Sequence, residues 1–362
     1  MNFNQRQIHI WQAIDNNVPG VKWNLCSKGS GSPRVPPRFL LGPVPQEIGD
    51  WFYSDNWVPD SGVYSIENLN IITDRILIKD DYIFHIPETG IGEGSISEHI
   101  NLPDPIIETR IEDEVVILCG PAYQMYGHWL IDFLPRIYLI EEMGKDIRKI
   151  KYLLPKNIRN FSLQWMDILG IPRENIYTYD PFKERCIISN ALVPISVRGN
   201  SRANPILNRI SKKIKQRVIG EKESTKSKKL LVSRKLWPNH SRSLLNQSEI
   251  EERFSEKGFD IIFPETLSIK EQISTFHEAR IIIGEYGSGM HNSIFSPPLT
   301  EVVNFRGNLG HPGFLQSGLC EALGQNCSYL FGESGKTEGS FSISSPRLDM
   351  LEIFLPYLLN SN

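Results

Sequence analysis

Three short stretches carry residue types able to bind an anion and move a proton. The first, Gly284-Glu285-Tyr286-Gly287-Ser288-Gly289-Met290-His291-Asn292, follows the apolar run Ile281-Ile282-Ile283. Such a run reads as a buried strand opening into a ligand loop, because glycines let backbone N–H groups approach an anion with no Cβ in the way. A helix after the loop would add its positive end, and Ser288, His291 and Asn292 would add hydrogen bonds to a diphosphate. The spacing matches neither the dinucleotide fingerprint GxGxxG nor the P-loop. The competing reading is a tight turn whose glycines serve close packing.

The second stretch, Ser233-Arg234-Lys235, stands past another strand candidate, Leu230-Leu231-Val232. It would bring a hydroxyl and two cations to the same sheet edge, with Arg234 suited to a bidentate phosphate grip. Taken alone it reads equally well as a solvated charge pair. In the third, Tyr126-Gly127-His128-Trp129 with Asp132, the histidine and carboxylate are four apart on one helical face, near the end of the run Val115–Cys119. A carboxylate beside an imidazole fixes one tautomer, so the other nitrogen can take a proton from a hydroxyl near neutral pH. A structural His–Asp contact is the alternative, and Arg136 reads as a ligand clamp or a surface ion-pair partner. Neither HExxH nor an Asp-x-Asp loop is present, so metal-free and cofactor-free chemistry is expected. His311, in a loop after Val302–Phe305, is a further candidate at the same site.

The elements around these stretches alternate. Strand candidates at 115–119, 151–154, 176–179 and 186–189 are interleaved with helix candidates at 127–144 and 160–169. The alternation restarts at 230–233, 260–263 and 280–283, with helices at 248–258 and at 268–279, where Ser268 and Glu271 form a capping box. A parallel α/β sheet in each half follows. Residues 1–60 read as irregular, 63–86 as antiparallel strands, and 220–229 as a charged linker. The expected division is an N-terminal α/β domain over 1–219, a second α/β domain over 230–340, and a C-terminal helix in 341–362 packing back on the first domain.

At 362 residues, 40% hydrophobic and 22% charged, with a net charge of −3, the chain has ordinary globular composition for two domains. No basic stripe interleaved with aromatics points to nucleic acid. The five cysteines are scattered without CxxC spacing, and neither a secretory signal nor a membrane-length apolar run is read, so a cytoplasmic location with buried thiols at Cys320 and Cys327 is expected.

Taken together, Tyr126 to Arg136, then Ser233-Arg234-Lys235, then Gly284 to Asn292 followed by Phe295-Ser296-Pro297-Pro298 resemble glycosyltransferase family 61. The resemblance implies an inverting transferase of GT-B architecture, two Rossmann-like domains facing across a cleft, that uses a nucleotide-sugar donor, with UDP the family-weighted choice. It implies a glycan or glycolipid acceptor, a role in capsular polysaccharide or lipopolysaccharide synthesis, and a cytoplasmic site compatible with peripheral attachment to the membrane. Ser233, Arg234, Gly287, Gly289 and Asn292 match positions around the donor, joined on that side by Lys235, Gly284, Glu285, Tyr286, Ser288 and His291. His128 and Asp132 match the acceptor-side motif, with Tyr126, Trp129 and Arg136 beside them. Many members carry histidine where this chain has Tyr286. Either His128 oriented by Asp132, or Asp132 itself, would be the base. A non-catalytic nucleotide- or carbohydrate-binding protein is the second reading, while a dinucleotide oxidoreductase lacks its fingerprint.

Overall fold

The computed structural model describes residues 6–45, 57–86, 107–199, 201–237, 243–308, 314–337 and 339–360. His311 lies outside them. The protein is mixed α/β and divides into two compact units, one of residues 1–30 and 59–199, the other of 31–58 and 200–362.

Strands are numbered in chain order. The first unit holds β1 (Arg6–His9), β2 (Val21–Ser27), β4 (Ser61–Ile72), β5 (Ile76–Lys79), β6 (Tyr82–His85), β7 (Ile107–Ile117), β8 (Lys151–Pro155), β9 (Ile176–Tyr179) and β10 (Glu184–Pro194). They form one sheet in the order β1-β6-β5-β4-β10-β7-β8-β9, with β2 on β4. From β10 to β9 the pairing is parallel. β10 meets β4 antiparallel, and β4, β5 and β6 form a meander. The antiparallel strands read at 63–86 therefore extend the α/β sheet rather than forming a separate subdomain. Residues 1–60, read as irregular, contribute β1 and β2 to this sheet and β3 (Leu40–Leu41) to the other.

The second unit adds β11 (Lys228–Val232), β12 (Ser243–Leu244), β13 (Asp260–Ile262), β14 (Ala279–Glu285), β15 (Glu301–Gly307), β16 (Asn326–Ser334) and β17 (Ser340–Ser342), ordered β12-β17-β16-β15-β14-β11-β13 with β3 on β16. The block from β13 to β16 is parallel. Leu230, Leu231, Val232 and Ile281 to Ile283 are all 0% exposed, as an uninterrupted apolar run requires when strands are covered on both faces. The helix Ile269–His277 starts at the expected box, with the Glu271 N–H donating to Ser268 Oγ and the Ser268 N–H to Glu271 Oε2.

Both boundaries of the expected domain division move. The helix Ile206–Ile219 belongs to the second unit, where its Ser211 hydroxyl donates to the Ile294 carbonyl. The charged segment after it is pinned rather than free. Lys222 Nζ lies 2.8 Å from Glu278 Oε1, and the N–H and hydroxyl of Thr225 both donate to Glu278 Oε2, at 2.7 and 2.6 Å. Charge without apolar residues resembles a linker, but one buried carboxylate at a helix end is enough to tie it down. The C-terminal helix Ser345–Asn360 likewise corrects its expectation. Leu348, Leu351, Leu355 and Leu358 form one stripe in the second unit's own core, with Leu231, Ile281 and Val303. Its Ile353 and Tyr357 are 67% and 70% exposed, so only one face is buried.

Burial pushes the Glu278 carboxyl upward, but Lys222 and Thr225 outweigh it and bring the group from 4.5 to about 2. A depressed carboxylate contributes stability that is present above its unfolded value and lost as pH falls through the folded one. The stability difference between wild type and Glu278→Gln, measured by urea unfolding, is therefore expected to shrink steadily from pH 5 towards pH 2.5; a difference independent of pH would contradict the pinning.

Candidate active site

In the first unit the site begins at the carboxyl ends of two adjacent parallel strands, β7 and β10. β7 leads through a helix to β8 on one side, while β10 pairs on its other side. The carboxyl ends of parallel strands are where open α/β sheets place ligands. The helix after β7 is composite: Tyr126–His128, a π-helical turn Trp129–Phe133, then Leu134–Glu142. Pro135 occupies the first turn of the last segment and has no N–H to continue the ladder, which accounts for the looser turn before it. Ahead of it Ala122 has φ 61°, a strained conformation for a residue with a Cβ.

Arg136 fixes this helix to the strand ends. Its guanidinium donates from Nε to Pro194 O at 2.8 Å, from Nη1 to Cys119 O at 3.0 Å and from Nη2 to Ile117 O at 3.1 Å. Burial lowers its pKa to about 10, which leaves it charged at neutral pH. Arg136 is thus neither ligand clamp nor surface ion pair. Trp129, expected beside an acceptor, is 0% exposed, donates from Nε1 to Tyr123 O and stacks on Phe133; it is core. Tyr126 is half-buried with its ring edge-on to Phe161, and burial raises its phenol pKa.

With the helix so held, His128 Nδ1 lies 2.6 Å from Asp132 Oδ2. Two partners that sequence reasoning missed come from the end of β10. Arg198 grips Asp132 with Nε on Oδ1 at 2.7 Å and Nη2 on Oδ2 at 2.8 Å, and Ser196 Oγ donates to Oδ1 at 3.2 Å. Only their position just after the apolar run of β10 signalled them. Burial pushes the Asp132 carboxyl upward, but Arg198 and then His128 outweigh it and hold the group well below the usual carboxylate range. A carboxylate held so low, with both oxygens engaged, is suited to anchoring the imidazole. An ionised carboxylate can only accept, so Nδ1 carries the hydrogen and Nε2 is the basic nitrogen.

The second unit repeats the arrangement at β11 and β14. β11 leads to β13 on one side and β14 lies on the other, so Ser233-Arg234-Lys235 and the glycine loop do meet at one switch point. Arg234 Nη1 lies 2.7 Å from Glu285 Oε1. Among the described residues its Nε and Nη2 have no protein partner. The backbone N–H groups of Gly287, Ser288 and Gly289 likewise donate to no described acceptor, and all three residues are half-buried. These donors can receive an anion.

The other candidates are occupied. Ser233 is 0% exposed and donates to Glu251 Oε1 at 2.5 Å, while Lys235 Nζ lies 3.4 Å from Glu251 Oε2. His291 Nδ1 meets Gln316 Oε1 at 3.0 Å, and Asn292 Nδ2 donates to Gly289 O at 3.2 Å. Tyr286 is buried with the Arg306 guanidinium 4.9 Å from its ring centre. Arg306, at the end of β15, is a second buried cation at this edge that the sequence reading passed over. Nor does a full helix follow the loop. Met290–Phe295 is a 3-10 segment of 6 residues, too short for the dipole that the sequence suggested. Among the described residues, no group of three or more His, Cys, Asp or Glu converges as a metal site, and no helix is long and apolar enough to cross a membrane.

Residues 126–303 match the family model for glycosyltransferase 61. Over that segment the chain is similar to glycosyltransferase family 61. No curated protein matches the sequence. The matched segment runs from Tyr126 through the Arg234 turn to the glycine loop and ends in β15, so it encloses His128, Asp132, Arg198 and Arg234. Glycosyltransferase activity is the function of this family, with a sugar donor and an acceptor as substrates.

The glycines of this loop separate into two kinds. A Cβ on Gly284 would stand 2.5 Å from the Val232 carbonyl of the neighbouring strand, whereas one on Gly287 would meet only the movable tip of Arg234, at 3.2 Å from Nη1. Gly284→Ala is therefore expected to destabilise the protein by about 1–3 kcal/mol in urea unfolding. Gly287→Ala should change stability by less than about 0.5 kcal/mol and instead weaken nucleoside diphosphate binding by calorimetry. Equal destabilisation by both would show that the whole loop serves packing.

Proposed function

We propose that this protein is an inverting, metal-independent glycosyltransferase. It moves a sugar from a nucleoside diphosphate donor, with UDP the first choice, to a hydroxyl of a glycan or glycolipid acceptor in surface polysaccharide synthesis at the cytoplasmic side of the membrane. The proposed plan is GT-B, with the acceptor base on the first unit and the donor diphosphate on the second. The observation that carries this reading is the His128–Asp132 pair. An imidazole whose Nδ1–H is spent on a carboxylate presents a basic Nε2, and nothing in sugar binding alone calls for one.

In the transfer the acceptor O–H proton passes to His128 Nε2 as the oxygen attacks the anomeric carbon. The bond from that carbon to the diphosphate oxygen breaks, and its electron pair leaves with the phosphate. Charge developing on the leaving group needs fixed donors in place before the reaction. Arg234 Nε and Nη2 and the amides of Gly287, Ser288 and Gly289 suit that task. Glu285 holds Arg234 through Nη1, which orients the fork at the cost of part of its charge.

Purified protein incubated with UDP-, GDP- and CMP-sugars and oligosaccharide acceptors is expected to release nucleotide; nucleotide binding without any release would favour the non-catalytic reading. His128→Ala should lower turnover by about 10²- to 10⁴-fold with nucleotide affinity intact, and an equal loss of affinity would contradict the base assignment. Arg234→Ala is expected to weaken diphosphate binding by about 1.5–3 kcal/mol, measured by calorimetry, and an unchanged dissociation constant would remove it from the donor site.

A further inference from the structure

Asp132 is held by more donors than an orienting carboxylate needs. Besides His128 Nδ1 it accepts the full Arg198 fork and the Ser196 hydroxyl. Arg198 is itself aligned, its N–H donating to Ser196 Oγ at 3.4 Å and its Nη1 to Gly199 O at 3.0 Å. The three side chains are sheltered, at 33% exposure for His128, 14% for Asp132 and 16% for Arg198, so charges here are screened less than on an open surface.

A carboxylate beside an imidazole favours imidazolium, and an imidazolium cannot accept a proton. A cation on the far side of that carboxylate cancels the effect while leaving the tautomer fixed. Among the charged groups around the pair, Arg198 alone hydrogen-bonds Asp132; Arg136 feels it only at a distance. On the same helix Arg136 is turned to the carbonyls of Ile117, Cys119 and Pro194, and Tyr126 is kept protonated by burial. At the end of β7 the Cys119 thiol is kept protonated by burial, and the Tyr123 hydroxyl donates to Asn157 Oδ1.

We propose that Arg198 is a positioning residue that keeps His128 neutral at working pH by neutralising Asp132, so that Nε2 is free to take the acceptor proton. The proposal rests on the reading of His128 as the base, and the test separates the two. Histidine resonances are titrated by NMR in 13C,15N-labelled wild type, Arg198→Gln, Arg198→Met and Arg198→Lys, with His128 assigned by its loss in His128→Ala. Both charge-removing variants should raise the His128 pKa by about one unit or more, and Arg198→Lys, which keeps the charge, should leave it near the wild-type value. Either charge-removing variant suffices should the other fail to fold. An unchanged or lowered His128 pKa in a folded variant overturns the proposal. The acid limb of the turnover profile should move upward with the titration. A limb that stays in place while the titration moves leaves Arg198 its electrostatic hold on His128 and removes His128 as the base.

Discussion

The geometry of the His128–Asp132 pair depends on one buried guanidinium. Arg136 gives its fork to three carbonyls at the ends of β7 and β10 and thereby fastens the composite helix across the two strand ends. Taking a cation out of water is costly, and charge-assisted hydrogen bonds to several acceptors are what offset it. One turn earlier along the same helix stands Asp132, and one turn before that His128. Arg198 and Ser196 arrive from the end of the strand whose last carbonyl Arg136 holds. Packing and chemistry are therefore built on the same few residues.

A comparable economy governs the second unit. Gly284 is required by the approach of β11 to β14, whereas Gly287 keeps room for Arg234. The loop is thus partly the packing turn that a cautious reading of its glycines favours, and partly a set of open donors suited to an anion. Many of its side chains are engaged by protein partners, so among the described residues the open donors include the amides of Gly287, Ser288 and Gly289, the Ser288 hydroxyl and two nitrogens of Arg234. Tyr286 is packed against Arg306, a second cation at the sheet edge.

Much of this could be read from the chain. The uninterrupted run Ile281–Ile283 located a buried strand, the Ser268–Glu271 box located a helix start, and the spacing of His128 and Asp132 located a real contact. Those signals are local, and local physics fixes them. What failed was non-local. A lone Arg136 in a helix looks the same whether it faces water or three carbonyls, and Trp129 in a motif looks the same whether it meets a sugar or Phe133. The charged segment around Lys222 seemed a linker because its anchor, Glu278, is distant in sequence. Arg198 and Ser196 were missed for the same reason, since nothing nearby in the chain points them at Asp132.

In the proposed reaction His128 keeps a hydrogen on Nδ1, facing Asp132, and offers Nε2 to the acceptor hydroxyl. The tautomer can be observed directly from the 15N shifts of the His128 ring in the labelled protein above its titration range. A protonated Nδ1 coupled to Asp132 and an unprotonated Nε2 are expected. A His128 ring protonated on Nε2 under those conditions would contradict this assignment, because the nitrogen assigned to the acceptor would then have no lone pair to give.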